Sequence, residues 1–189
     1  ILPGGFSYGD YLRTGAIASH SPVLQAVREL AEVGGAVVGI CNGFQILCEA
    51  GLLPGALIRN RSLRFVCRPV HLRVETSSSA LTTSCTVGDV VEIPVKHGEG
   101  QFVATPDEIR RIEDEGLVLF RYCGPHGELE DRFNPNGATD HIAGLRNERG
   151  NVVGLMPHPE HAVDPDVGPI GGQPLFESLL AHQLQSLPA

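Results

Sequence analysis

The residues best placed to do chemistry sit in Gly39-Ile40-Cys41-Asn42-Gly43-Phe44-Gln45. An apolar run from Ala36 to Ile40 precedes Cys41, and an apolar-periodic segment from Phe44 to Ala50 follows it, so the stretch reads as strand, sharp turn and helix. The spacing Gly-x-Cys-x-Gly is the thiol counterpart of a nucleophile elbow, in which small residues two before and two after relieve the crowding of a strained turn. The helix start sets amide N–H groups and the positive end of the helix dipole beside the sulfur. Both favour the thiolate, the form that attacks carbonyls. A buried structural cysteine is the competing reading, since free Cys is among the most buried residue types.

A thiol nucleophile needs a base, and the base needs an orienter. Met156-Pro157-His158-Pro159-Glu160 follows a second apolar run, Asn151 to Leu155. His158 could take the thiol proton and deliver it to a leaving group, while Glu160 holds the other ring nitrogen and fixes the tautomer. Leu2-Pro3-Gly4-Gly5 supplies a third element. The backbone N–H of Asn42 is one oxyanion donor, and a glycine pair can bring a second bare N–H, that of Gly5, close to a ligand. An ordinary Gly-Gly turn is the alternative.

The elements that must position these residues can be traced along the chain. Ser21-Pro22 caps and starts a helix with Val23, Leu24, Val27, Leu30 and Ala31 on its buried side, closed by Gly34-Gly35. Gly51 ends the helix after Cys41, and Cys48 on that helix faces the core. Phe65 to Glu75 alternates like a half-buried strand. Val90 to Val95, Leu117 to Cys123, Ile142 to Leu145 and Asn151 to Leu155 are further strands. Thr105-Pro106-Asp107-Glu108 is a capping box opening a charged helix to about Glu115, and Leu175 to Leu184 forms a closing helix. Strands mixed with helices predict an α/β fold: an open, mixed, mainly parallel sheet flanked by helices, with functional loops at carboxyl ends of strands. The Pro- and Gly-rich stretch from Asp164 to Pro174 reads as a surface loop.

Composition bounds the function. A chain of 189 residues, 42% hydrophobic and 19% charged, suits a single domain spanning residues 1–189. The formal net charge of -8 argues against a nucleic-acid surface. No run is long enough for a membrane helix and no signal stretch opens the chain, which suits a cytoplasmic enzyme. Five cysteines without a Cys-x-x-Cys pair indicate neither a disulfide framework nor a zinc site, so no metal is expected. Gly98-Glu99-Gly100 fits neither a P-loop nor a dinucleotide fingerprint. His71, His126, His141, His161 and His182 lack a paired residue and read as surface or packing histidines.

The elbow, the Pro-Gly-Gly loop and His-Pro-Glu together resemble the class I, triad-type glutamine amidotransferases, whose sheet is flavodoxin-like. Pro3 to Arg13, Asn60-Arg61-Ser62-Leu63-Arg64-Phe65 and His97-Gly98-Glu99-Gly100 narrow the resemblance to the glutaminase subunits of phosphoribosylformylglycinamidine synthases. It runs over essentially the whole chain, with one departure: those subunits begin with a strand and helix ahead of the Pro-Gly-Gly loop. The chain therefore reads as an N-terminally incomplete domain lacking its first βα unit. The resemblance implies glutamine hydrolysis through a Cys41 thioester, with ammonia passed to a synthetase subunit that makes formylglycinamidine ribonucleotide in purine biosynthesis. It implies ATP and Mg on the synthetase, no cofactor on this chain, and a small accessory subunit in the complex. It also implies substrate contacts at Gln45, His97 and Gly98, while Arg64 and Phe65 read as fold or partner residues. Rival readings are a γ-glutamyl hydrolase active without a synthetase, a non-catalytic subunit that retains the fold, and a redox sensor at Cys41. The last lacks a resolving cysteine in a nearby exposed loop.

Overall fold

The structure, a computed structural model, describes residues 1–10 and 13–186; Tyr11 and Leu12, within the Pro3 to Arg13 motif, lie outside the described residues. Two short apolar runs form the strands β1 (Val37–Ile40) and β8 (Val152–Leu155), each buried at every position. Burial on both faces explains why these sequences are continuous rather than alternating. They pair in parallel, from Val37 opposite Val152 to Ile40 opposite Leu155, so the turns carrying Cys41 and His158 leave the same sheet edge. Leu2 adds a parallel bridge to Gly39 on the outer side of β1.

The remaining strands extend this pair. With β3 (Val66–Val74), β4 (Val90–His97), β6 (Val118–Cys123) and β7 (Ile142–Arg146), the six-stranded order is β1-β8-β7-β6-β3-β4. The sheet is mixed, but the expectation of a mainly parallel one needs correction. Among the described residues β1–β8 is the one parallel strand pair of this sheet; β8–β7, β7–β6, β6–β3 and β3–β4 are antiparallel. The short turn at Asn147 to Asn151 can only reverse the chain, because a parallel return needs a crossover of a dozen residues or more. A separate antiparallel pair, β2 (Ala56–Ile58) with β5 (Gln101–Val103), has strands too short to leave a periodic signal. In β3 the inward-facing Val70, Leu72 and Val74 are buried, whereas Cys67, Arg68 and Pro69 are exposed.

Helices cover the sheet. α2 (Asn42–Glu49) packs on β1 and β8 through Phe44, which is fully buried and stacks on Phe102 at 6.5 Å between ring centroids. Burying a phenylalanine side chain contributes about 2–3 kcal/mol. α3 (Pro106–Asp114) has the expected reciprocal capping box between Thr105 and Glu108. α1 (Pro22–Glu32) begins with proline as expected, but the Ser21 side chain makes no capping bond. On α1, Leu24 and Ala31 are buried, while Val23 and Leu30, also expected inside, are 62% and 47% exposed. Periodicity marks the apolar face of α1, but nothing among the described residues covers the outer part of it. α4 (Gln173–Ser186) closes the described chain, and no described helix is long and apolar enough to cross a membrane.

Candidate active site

At the end of β1 the backbone turns sharply into α2, and Cys41 holds φ 51° and ψ -105° there. A non-glycine residue at such angles is strained, and it persists only where the surroundings over-determine it. Both elbow glycines supply that constraint. A side chain on Gly39 would lie 2.7 Å from the backbone of Gly43, and one on Gly43 would lie 2.0 Å from the Leu2 carbonyl oxygen. The turn can therefore fold flat against the Leu2 segment only with glycine at both places. Leu2 is held in turn by N–H donation to Val38 O at 2.7 Å and acceptance from Ile40 N at 2.9 Å.

His158 leaves the end of β8 on the neighbouring strand, and its backbone N–H donates to Pro94 O at 2.8 Å. Its Nδ1 lies 2.6 Å from Glu160 Oε1, the orienting contact expected from the His-Pro-Glu spacing. Burial works against ionisation of Glu160. The hydrogen bond with His158 and the charges of His158 and His161 outweigh it and hold the carboxyl below its usual range. With Nδ1 paired to a carboxylate, Nδ1 carries the proton and Nε2 is left as the basic atom. Nε2 is buried and has no hydrogen-bond partner. Gly4 fills the space beside this ring: its missing side chain would sit 2.7 Å from His158 Cε1 and 3.6 Å from Cys41 Cβ. The Pro-Gly-Gly loop, the elbow and the histidine thus converge on one point. The Cys41 thiol, buried like the ring, donates to Lys96 O at 3.8 Å.

Cys41, His158 and Gly5 line a single cavity of about 520 Å³, together with Gln45, His97 and Gly98. Gly5 has φ 155°, a conformation that favours glycine, and no atom stands within 4 Å of where its side chain would be. The Asn42 N–H lies in the first turn of α2, where backbone donors have no intrahelical acceptor. The Asn42 side chain is a brace: Oδ1 accepts from the Ser7 N–H at 3.3 Å and from the Ser7 hydroxyl, and Nδ2 donates to Gln45 Oε1 at 2.9 Å. Gln45 Nε2 donates to Glu99 O at 2.5 Å. Gln45 therefore reaches the cavity as expected, with both ends of its amide engaged by the protein. Its role in this arrangement is to tie α2 to the loop after β4.

That loop is organised by a residue the sequence reading did not single out. Asn60 is fully buried; its Nδ2 donates to Arg64 O at 2.8 Å and His97 O at 2.9 Å, and its Oδ1 accepts from Gly100 N at 2.9 Å. The same Oδ1 lies 3.1 Å from His97 Nδ1. An oxygen accepts, so His97 carries its proton on Nδ1 and presents Nε2 as an acceptor. Burial, reinforced by the nearby charge of His158, lowers the His97 pKa to about 4, so the ring is neutral near neutral pH. Asn60 also donates its backbone N–H to Gly98 O at 2.9 Å. Its motif was visible, but its four side-chain partners were not, since all but Arg64 lie 37 or more residues away.

Three expectations about individual residues change; His141, expected to lack a partner, has its Nε2 3.6 Å from Asp131 Oδ1. His161 is not an unpaired surface histidine: its Nε2 is 3.6 Å from Glu160 Oε1 and its Nδ1 contacts Lys96 Nζ. Cys67, exposed on β3, lines the Cys41 cavity, so a second thiol does stand near the first. Among the described residues, His158, Glu160 and His161 form a group whose ligand atoms lie within 4.8 Å of one another.

Residues 1–173 match the family of CobB/CobQ-like glutamine amidotransferase domains. The phosphoribosylformylglycinamidine synthase subunit PurQ of Nitrobacter winogradskyi is 57% identical over 96% of this chain and 78% of its own length. That of Salinibacter ruber is also 57% identical, over 96% of this chain and 77% of its own. The chain belongs to the PurQ family. A solved structure of PurLQS from Thermotoga maritima superposes on this PurQ-family chain with a TM-score of 0.83 at 43% identity, over 96% of this chain and 78% of that one. The glutaminase domain of Trypanosoma brucei CTPS with bound acivicin shares the fold, with a TM-score of 0.54 at 11% identity over 87% of this chain and 66% of that one.

Proposed function

We propose that the chain hydrolyses the side-chain amide of glutamine and supplies ammonia to the synthetase subunit of phosphoribosylformylglycinamidine synthase. The reading rests on one arrangement: Cys41 on a strained elbow shares a cavity with His158, whose Nδ1 is held by Glu160 and whose Nε2 is unpartnered. His158 Nε2 takes the thiol proton, and the thiolate attacks the amide carbon. The N–H groups of Gly5 and Asn42 hold the resulting oxyanion. As the C–N bond breaks, the imidazolium returns its proton to the departing nitrogen, releasing ammonia and leaving a glutamyl thioester. Water then gives a proton to His158 and attacks the thioester; glutamate leaves and the thiol is restored. Glu160 stabilises the imidazolium in both half-reactions. His97 and Gly98 form the far wall of the glutamine site, with Gln45 fixing its floor.

The chain needs no cofactor for this chemistry; ATP and Mg act on the synthetase, and a small accessory subunit completes the complex in the cytoplasm. The synthetase docks over the cavity mouth, where Phe6, Leu63 and Phe65 are 68%, 78% and 56% exposed beside Arg64. An apolar rim with an arginine is the composition of a protein interface. In the assembled complex, Cys41→Ala abolishes synthesis driven by glutamine and leaves synthesis driven by added ammonia intact. Equal loss of both would falsify the assignment.

A further inference from the structure

Beside the glutamine cavity lies a second cavity of about 610 Å³, lined by Glu160, His161, Lys96 and Asp164. The two cavities share Lys96 in their walls, with His158 lining the first and Glu160 and His161 the second. Glu160 Oε1 is shared between two imidazoles, 2.6 Å from His158 Nδ1 and 3.6 Å from His161 Nε2, and the two rings meet edge-on at 5.5 Å between centroids. Two imidazole nitrogens and one carboxylate oxygen are the donor set that borderline divalent cations such as zinc prefer. Around a tetrahedral ion with bonds of about 2.0 Å, donor atoms stand roughly 3.3 Å apart. The Glu160–His161 separation is already near that value, the Glu160–His158 contact has to open by about 0.7 Å, and the two imidazole nitrogens, within 4.8 Å of each other, have to close by at most about 1.5 Å. The Glu160 and His161 side chains are 37% and 48% exposed, so they can adjust.

We propose that His158 Nδ1, Glu160 and His161 Nε2 form an inhibitory site for a zinc-like divalent cation, entered from this second cavity, with water as the fourth ligand. The consequence for catalysis rests on the glutaminase reading above. In the metal-free site the His158 proton sits on Nδ1 and Nε2 is basic. A cation on Nδ1 takes that lone pair, and the proton moves to Nε2, the nitrogen that must accept from Cys41. No proton is lost from the ring and no bond in the substrate changes; the base is simply switched off. The cation leaves the glutamine cavity open, so it lowers turnover without competing with glutamine.

Lys96 opposes the site. Its ammonium group contacts His161 Nδ1, which favours a proton on Nε2, the nitrogen the cation needs. The other charged side chains lining this cavity are Lys96 from β4 and Asp164 from the following loop, which are opposite in sign.

The site is tested by titrating zinc and cobalt ions into the full chain, by calorimetry and by cobalt absorption, with no glutamine present. Wild type and Cys41→Ser are expected to bind one equivalent with the same affinity. His161→Gln should weaken binding by about tenfold or more, and Lys96→Met should strengthen it. The cobalt form should lack a thiolate charge-transfer band. In activity assays zinc should lower kcat at unchanged KM, with recovery on adding a chelator. A thiolate band, loss of binding in Cys41→Ser, unchanged affinity in a folded His161→Gln, or no binding by wild type each overturns the site. Because binding is read without turnover, the site can fail while the glutaminase assignment stands, and the reverse.

Discussion

Replacing Gly4 by alanine adds one methyl group at the point where the three parts of the triad region meet. That methyl would stand 2.7 Å from His158 Cε1, 3.4 Å from Nδ1 and 3.6 Å from Cys41 Cβ. Carbon atoms attract best near 3.5 Å, so the ring has to withdraw by about 0.8 Å. It has little freedom to do so, because its backbone is tied to Pro94 and its Nδ1 to Glu160. A misplacement approaching 1 Å in catalytic geometry costs on the order of 10²-fold in rate. That is about 2.7 kcal/mol in the barrier. Gly4 does not occupy the left-handed region, so alanine brings no backbone strain of its own, and any fall in melting temperature comes from the crowding against His158 alone. The assay is glutamate release by the assembled complex, alongside its ammonia-driven rate, which should stay at the wild-type level. A Gly4→Ala protein with glutaminase activity within a few-fold of wild type would refute the packing of this loop against His158, and with it the convergence argued above.

Two further outcomes follow from the residues around the cavity. Asn60→Ala removes both ends of a fully buried amide and strands the carbonyls of Arg64 and His97, the Gly100 N–H and His97 Nδ1. A loss of about 3 kcal/mol is expected, which for a chain of this size lowers Tm by roughly 6–12 °C in a thermal melt; a shift under about 2 °C would show that the loop does not depend on it. His97 binds its proton only near pH 4 in the folded chain, whereas the unfolded chain binds one near 6.5. Between those values the unfolded state holds more protons, so stability falls as pH falls, by on the order of 3 kcal/mol in total. Denaturant melts across that range should show this slope, and His97→Asn should flatten it; an unchanged slope in the variant would assign the acid sensitivity elsewhere.

How far the sequence could be read depended on where the partners of each residue lay. Cys41 and its two glycines, and His158 with Glu160, carry their geometry within five residues, and each appears where its spacing predicts. The Thr105–Glu108 capping box is equally local. Strand direction is different: nothing inside Ile142–Arg146 says that it runs against β8, because direction is set by how the chain returns. Burial on α1 likewise depends on what packs against it, so Val23 and Leu30 carry the right pattern and remain exposed. Asn60 and His161 escaped notice because partners that define them come from β4 and the loop after it: His97 and Gly100 for Asn60, 37 and 40 residues away, and Lys96 for His161, 65 residues away.

The sheet order has a consequence for biosynthesis. β8 is among the last strands made, yet it is inserted between β1 and β7. A chain emerging from the ribosome carries Cys41 long before His158, and until Val152 to Leu155 arrives, β1 lacks its β8 neighbour. The strained elbow then lacks the Cys41 N–H donation to Leu155 O at 2.8 Å that anchors it. On the mechanism proposed above, glutamine hydrolysis is thus withheld from unfinished chains. Completion of the sheet and arrival of the base are the same event, so ammonia is released only by a domain that has closed.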